Sequence, residues 1–178
     1  MDAFPPGIQF RKSWRSYQQR VLTELEQHLD DNHLHIIAAP GSGKTVLGLE
    51  VMRQLNRPTL ILAPSLAIRD QWVDRFVNLF LDAGQGMPKW ISKDIRAPRF
   101  LTVSTYQGLH VAYSRDPDQK SKSPGRDAIL KSLKQLGVKT LVLDEAHHLR
   151  NEWWKCLADL KKQLDGPTVV ALTATPPF

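Results

Sequence analysis

Two short stretches carry residue types that could act on phosphates. The first is His35-Ile36-Ile37-Ala38-Ala39-Pro40-Gly41-Ser42-Gly43-Lys44-Thr45, in which apolar residues lead through turn formers to a Lys-Thr pair. Val46 to Met52 follow with apolar spacing that suits a helix. This reads as a strand, a tight loop and a helix N-terminus. Backbone N–H groups of such a loop form an anion nest, and the helix start adds the positive end of its dipole. Pro40, Gly41, Ser42, Gly43, Lys44 and Thr45 would then surround a nucleotide's phosphates. Lys44 would bring a mobile charge to the β and γ phosphates, and the Thr45 hydroxyl would ligate Mg²⁺. The common G-x-x-x-x-G-K-[ST] pattern asks for glycine at position 38. Here that position is Ala38, so the chain follows the variant A-x-x-G-x-G-K-T.

The second stretch is Leu141-Val142-Leu143-Asp144-Glu145-Ala146-His147, an apolar run ending in two carboxylates about a hundred residues further on. Opposite a phosphate loop, Asp144 would hold Mg²⁺ directly or through water. Glu145 would orient the attacking water and help to deprotonate it.

The elements that must position these groups alternate. Residues 1–13 read as an extended lead-in. Trp14 to Leu29 place Val21, Leu22, Leu25 and Leu29 at helical spacing, with Ser16 as the candidate cap. The helix after Lys44 should stop near Asn56, because Pro58 cannot continue it. Thr59 to Ala63 read as a strand buried on both faces. A helix follows the break at Pro64-Ser65, with Ile68, Trp72, Phe76 and Leu79-Phe80 along one side. From Asp82 to Arg99 the pattern dissolves, and Lys89, Lys93, Arg96 and Arg99 surround Trp90. That segment is either a nucleic-acid contact with Trp90 stacking on a base or a solvated loop. Phe100 to Ser104 read as a strand, Ala112 to Asp127 as a polar basic loop, and Ala128 to Leu136 as a helix. Val138 to Leu143 form a strand, Asn151 to Leu164 a helix in which Trp153 and Trp154 pack on the sheet, and Thr168 to Leu172 a fifth strand. Strands alternating with helices imply a mainly parallel sheet covered on both faces, with ligands at the carboxyl ends of its strands.

Bulk properties narrow the class. A chain of 178 residues supports one good core, and 42% hydrophobic with 24% charged residues is ordinary for a soluble protein. No apolar run approaches the roughly 20 residues of a membrane span. The first residues show no basic stretch followed by an apolar core, so a signal peptide is not expected. A lone cysteine, Cys156, excludes an internal disulfide, and no Cys/His spacing suggests zinc. A cytoplasmic protein without membrane contact is the expectation. The net charge of +6 favours polyanionic partners.

Ala-x-x-Gly-x-Gly-Lys-Thr, Asp-Glu-Ala-His and a later Thr173-Ala174-Thr175, in this order, resemble the first ATP-binding half of superfamily 2 helicases and translocases. The resemblance is narrower to the DEAH/DExH group that includes type III restriction subunits and DNA-repair helicases, and it runs from about Trp14 to Pro176. It implies an α/β fold, a RecA-like P-loop NTPase domain over residues 14–178, with ATP and Mg²⁺ as cofactors and Lys44, Asp144 and Glu145 as the catalytic set. Arg15-x-Tyr17-Gln18 resembles the adenine-reading motif, which makes Gln18 the base contact and Gln19 the neighbouring alternative. Pro64-Ser65 to Trp72 and Val103 to Gln107 resemble the motifs that touch the nucleic-acid backbone, implying Ser65, Arg69 and Thr105 as contacts. Ser65 stands where the family often has threonine, and keeps the hydroxyl. His147, Thr173 and Thr175 would couple hydrolysis to strand movement.

The resemblance further implies a second RecA-like half that would supply arginine fingers, worth roughly 10³ to 10⁵ in turnover in related enzymes. No counterpart follows Thr175, so the chain is expected to be the first motor domain of a longer protein and weakly active alone. The expected activity is ATP hydrolysis coupled to unwinding or translocation, on DNA by analogy with the restriction and repair group. The alternatives are a duplex translocase, restriction or remodelling subunit that does not unwind, and a non-catalytic nucleic-acid-binding scaffold domain.

Overall fold

The structure, a computed structural model, describes residues 1–39, 41–82, 84–114 and 124–174. In chain order the elements are α1 (Ser16–Glu26), β1 (His33–Ile37), α2 (Lys44–Leu55), β2 (Thr59–Ala63), α3 (Leu66–Phe80), β3 (Ile91–Ser92), β4 (Leu101–Thr105), α4 (Tyr106–Tyr113), α5 (Arg126–Leu136), β5 (Thr140–Asp144), α6 (Asn151–Gln163) and β6 (Thr168–Thr173). The six strands form one sheet, every described pair parallel, in the order β1-β6-β5-β2-β4-β3.

The alternating direction of side chains along a strand splits the core in two. In β2, Ile61 and Ala63 face one cluster, shared with Leu47 and Met52 of α2 and with Trp72, Phe76 and Phe80 of α3. Leu60 and Leu62 face the other, shared with Leu109 of α4, Leu133 of α5 and Leu160 of α6. Thus α1, α2 and α3 cover one face and α4, α5 and α6 the other. Strands β2, β4 and β5 are buried along their whole length, as continuous apolar runs require.

Local chemistry sets the element ends. Asn56 closes α2 in the left-handed region at φ 54°, two residues before Pro58. Ser65 caps α3 by accepting the Ile68 N–H at 3.2 Å, and Thr105 caps α4 by accepting the Gly108 N–H at 2.9 Å. A side chain at position 108 would lie 3.0 Å from both the Ser104 and Thr105 hydroxyls, so glycine is what lets that cap close tightly.

Three expectations need correction. Ser16 lies inside α1. The cap is Arg15, whose N–H donates to the Gln18 side-chain oxygen at 3.0 Å. The segment from Asp82 to Arg99 contains a two-residue strand, β3, carried by its pairing with β4. The polar loop placed at 112–127 begins after a helix, α4, and gives way to α5 at Arg126; residues 115–123 lie outside the described residues. The first 13 residues carry no helix or strand, yet Phe4 is buried among the rings of Phe76, Trp90 and Phe100, and Phe10 stacks on Trp14 at 4.0 Å. That packing ties the half-buried Trp90 ring to the core. Of the tryptophan pair, Trp153 packs against the core under the Arg150 guanidinium, whereas Trp154 is 51% exposed.

Candidate functional site

A parallel sheet brings the carboxyl ends of all its strands to one edge. Around the ends of β1, β2 and β5 lies a cavity of about 680 Å³, lined among others by Gln18, Gly41, Gly43, Lys44, Thr45, Asp144 and Glu145. The loop before α2 turns through Gly41 and Gly43, at φ 75° and 82°, a region that residues with a Cβ rarely adopt. Gly43 also needs its hydrogen for space. A Cβ there would sit 2.5 Å from the Gln18 side-chain nitrogen. Gln18 is itself buried and anchored by its hydrogen bond to the Arg15 N–H, so its amide is held against the loop. Ser42 turns inward, donating its hydroxyl to the Ala39 carbonyl. Pro40 lies outside the described residues.

Adjacent residues of an extended strand point to opposite faces, so Asp144 and Glu145 could not both face Lys44 if β5 simply continued. Glu145 instead adopts φ 52° and ψ 41°, the left-handed region, and its N–H donates to the Leu172 carbonyl at 2.9 Å. That turn brings both carboxylates to one ammonium. Lys44 Nζ lies 3.5 Å from Asp144 Oδ1 and is in direct ionic contact with Glu145 Oε1. Glu145 Oε2 lies 3.4 Å from His147 Nε2, and His147 Nδ1 lies 3.0 Å from the Thr173 hydroxyl. One continuous polar chain therefore runs Lys44–Glu145–His147–Thr173, from the loop to the end of β6. Thr175 lies outside the described residues.

Asp144 is buried, and its two oxygens differ. Oδ2 accepts the Trp72 indole N–H at 3.0 Å, while Oδ1 has no hydrogen-bond partner among the described residues. A buried carboxylate oxygen that meets the Lys44 ammonium at 3.5 Å but accepts no hydrogen bond among the described residues, in the same cavity lining as Thr45, suits a hard cation. Asp144 and Thr45 would hold Mg²⁺. Sequence reasoning missed Trp72 and also Tyr106, which donates its hydroxyl to the Asp144 carbonyl at 2.9 Å. Trp72 fell within a quoted motif, but nothing there marked its indole N–H as aimed at the carboxylate.

A second cavity, about 780 Å³, opens at the ends of β2 and β4. Ser65, Arg69 and Thr105 all line it, together with Lys93 and Arg96 from the segment after β3. Asp70 holds Arg69 at 3.0 Å and Lys93 at 3.1 Å, and Asp94 holds Arg96 at 3.0 Å. Hydrogen bonds from Lys93 and Arg69 keep the Asp70 carboxyl below its ordinary range. Hydroxyls, helix starts and cations on one groove wall suit a phosphodiester backbone. Pro64 lines both cavities.

The family described as "Type III restriction enzyme, res subunit" matches residues 11–178. The chain is 28% identical over 177 residues to the DNA 3'-5' translocase XPB2 of Sulfurisphaera tokodaii, covering 99% of this chain and 34% of that protein. It superimposes on the Sulfolobus solfataricus SWI2/SNF2 ATPase core, solved in complex with dsDNA, with a TM-score of 0.64 at 20% identity, covering 97% of this chain and 34% of that one. The Pyrococcus furiosus Hef helicase domain gives a TM-score of 0.59 at 20% identity, covering 93% and 34%. These structural likenesses bear on the fold, which is RecA-like. The chain spans about a third or less of the length of the curated relatives it matches. Among the described residues, no helix is long and apolar enough to cross a membrane.

Proposed function

We propose, from the premise that this chain belongs to the type III restriction enzyme res subunit family, that it is the ATP-binding domain of a DNA motor which couples hydrolysis to unwinding or translocation. The observation that carries the reading is the polar chain from Lys44 through Glu145 and His147 to Thr173. In it a phosphate-binding ammonium, a base for water and a hydroxyl at a strand end form one circuit.

The residues would divide the work. The 41–45 loop and the α2 start would hold the phosphates, and Gln18 would face the base. Lys44, in ionic contact with Glu145, would exchange that partner for phosphate oxygens as ATP enters, freeing Glu145 to orient and deprotonate water. Asp144 and Thr45 would hold Mg²⁺, which would supply neutralising charge to the bound phosphates. His147 and Thr173 would register the position of Glu145, with Thr175 following them. Ser65, Arg69 and Thr105 would position a strand along the groove without reading its sequence.

DNA as the track is supported by the relatives, which are named as a DNA translocase and a DNA helicase; a cytoplasmic site of action belongs to the same proposal. A second RecA-like half in the intact protein belongs to the same reading. The relative named a translocase favours movement without strand separation as the second reading.

The test is the ATPase rate of the intact protein with and without single-stranded DNA, duplex DNA and RNA, beside Glu145→Gln and a strand-separation assay. Loss of a general base should lower turnover by roughly 10² to 10⁴ while ATP binding persists. Stimulation by single strands with strand separation gives a helicase, and stimulation by duplex without it gives a translocase. A wild-type rate that ignores every polymer overturns the motor reading.

A further inference from the structure

Asp144 is gripped from two sides by side chains from the two helices that begin at the groove. Trp72, fully buried on α3, reaches its carboxylate, and Tyr106, the first residue of α4, reaches its backbone carbonyl. Neither contact is local, since Trp72 is 72 positions and Tyr106 38 positions away from Asp144.

The same helices carry the groove residues. Ser65 caps α3, and Arg69 lies one turn before Trp72, about 4.5 Å along the axis at 1.5 Å per residue. Thr105 caps α4 and immediately precedes Tyr106. A shift of either helix as a phosphate settles on its start must therefore move a group bonded to Asp144. Trp72 has little room to absorb such a shift by turning. Its ring is packed so closely on α2 that a Cβ at Gly48 would lie 2.8 Å from ring carbon Cη2. Packed interiors respond to strain by moving as units, because they hold few voids.

We propose that Trp72 and Tyr106 are positioning residues that pass the occupancy of the groove to the ATP site by setting the orientation of Asp144. This rests on reading the two cavities as the nucleic-acid track and the ATP site. Coupling between two ligands is a ratio of affinities and is reciprocal, so it can be measured without turnover. A merely structural role would weaken both ligands or the fold and leave that ratio alone.

The experiment uses the intact protein, wild type and two variants. Trp72→Phe keeps an apolar ring and loses the N–H, and Tyr106→Phe loses only the hydroxyl. The affinity for a fluorescent single-stranded DNA is measured with and without a non-hydrolysable ATP analogue and Mg²⁺. The affinity for a fluorescent nucleotide is then measured with and without DNA. Wild type should show a ratio within the roughly 5- to 150-fold range usual for coupled sites. In Trp72→Phe the ratio should fall to near one, in Tyr106→Phe part of the way, with each ligand alone binding within about threefold of wild type, a change of under 1 kcal/mol. Variants that keep the wild-type ratio, with native near-ultraviolet circular dichroism, overturn the inference and leave the motor reading standing. A wild type whose DNA affinity ignores the nucleotide overturns the inference alone, and one that binds no DNA overturns both.

Discussion

Replacing Gly48 by alanine separates a rule of thumb from the structure, because the two give opposite signs. Gly48 sits in the interior of α2, where glycine costs about 1 kcal/mol relative to alanine. On propensity alone Gly48→Ala should stabilise. The structure places Cη2 of Trp72 and Cδ2 of Leu172 each 2.8 Å from the position a Cβ would take. Both neighbours are buried, Trp72 at 0% and Leu172 at 1% exposure. The tryptophan ring cannot swing aside without leaving Asp144, and the leucine methyl has no solvent to move into. Overpacking a dense core costs typically 1–3 kcal/mol. Taking about 2 kcal/mol against the gain of about 1 kcal/mol leaves a net loss near 1 kcal/mol. For a domain of this size that is a fall in Tm of about 2–4 °C. The assay is urea unfolding followed by tryptophan fluorescence, with thermal unfolding beside it. The emission of Trp72 should also change, since its indole N–H would be drawn from the carboxylate. A Gly48→Ala variant more stable than wild type refutes the reasoning, because it would mean that the α2–α3 contact yields freely.

Two further substitutions test the charges. Asp70→Asn removes the carboxylate that holds Arg69 and Lys93 at the groove; affinity for single-stranded DNA should rise about threefold at low salt, and the gain should shrink as salt screens it. Fluorescence anisotropy across a salt series checks this, and a fall in affinity refutes it. The Arg126 guanidinium, and after it the Tyr113 hydroxyl, hold the Asp159 carboxyl below its ordinary 3.8. A carboxyl depressed in the folded state contributes stability that is complete above pH 3.8 and is lost as pH falls through the lower folded-state value. The urea midpoint of wild type should therefore drop more steeply below pH 4 than that of Asp159→Asn, and parallel curves refute it.

What the sequence disclosed follows from how each feature is built. β2 and α6 are legible because an apolar run or a helical stripe bounded by turn formers declares itself locally. β3 is not, because two residues make a strand only by pairing with β4. α4 is obscured by Gly108, a poor helix former that a tight cap requires. The same division holds at the site. Lys44, Asp144 and Glu145 are legible because a charged group after an apolar strand has few other reasons to be there. Trp72 and Tyr106 read as core, and by burial they are core. What gives them a role is one polar atom each, and its target is fixed only when α3 and α4 pack on opposite faces of the sheet with β5 between them. Lys93 and Arg96 likewise look like loop charges until β3 turns them into the groove.

The parallel sheet makes the two cavities neighbours of necessity. Every strand delivers its carboxyl end to the same edge, so the loop after β1, proposed to bind phosphates, lies within a few strand widths of helix starts after β2 and β4. Adjacent strands are about 4.8 Å apart, and Pro64, at the end of β2, is shared by both walls. The buried Asp144 lines the first cavity and is bonded on one side to α3 and on the other to α4, the two helices that begin at the second. A group that faces one cavity and is fastened to the elements that open the other would not be indifferent to what fills either. If that fastening is cut at Trp72 while both ligands still bind, the coupling must fall with it; if the coupling survives, it travels through the backbone of β5 and its neighbours.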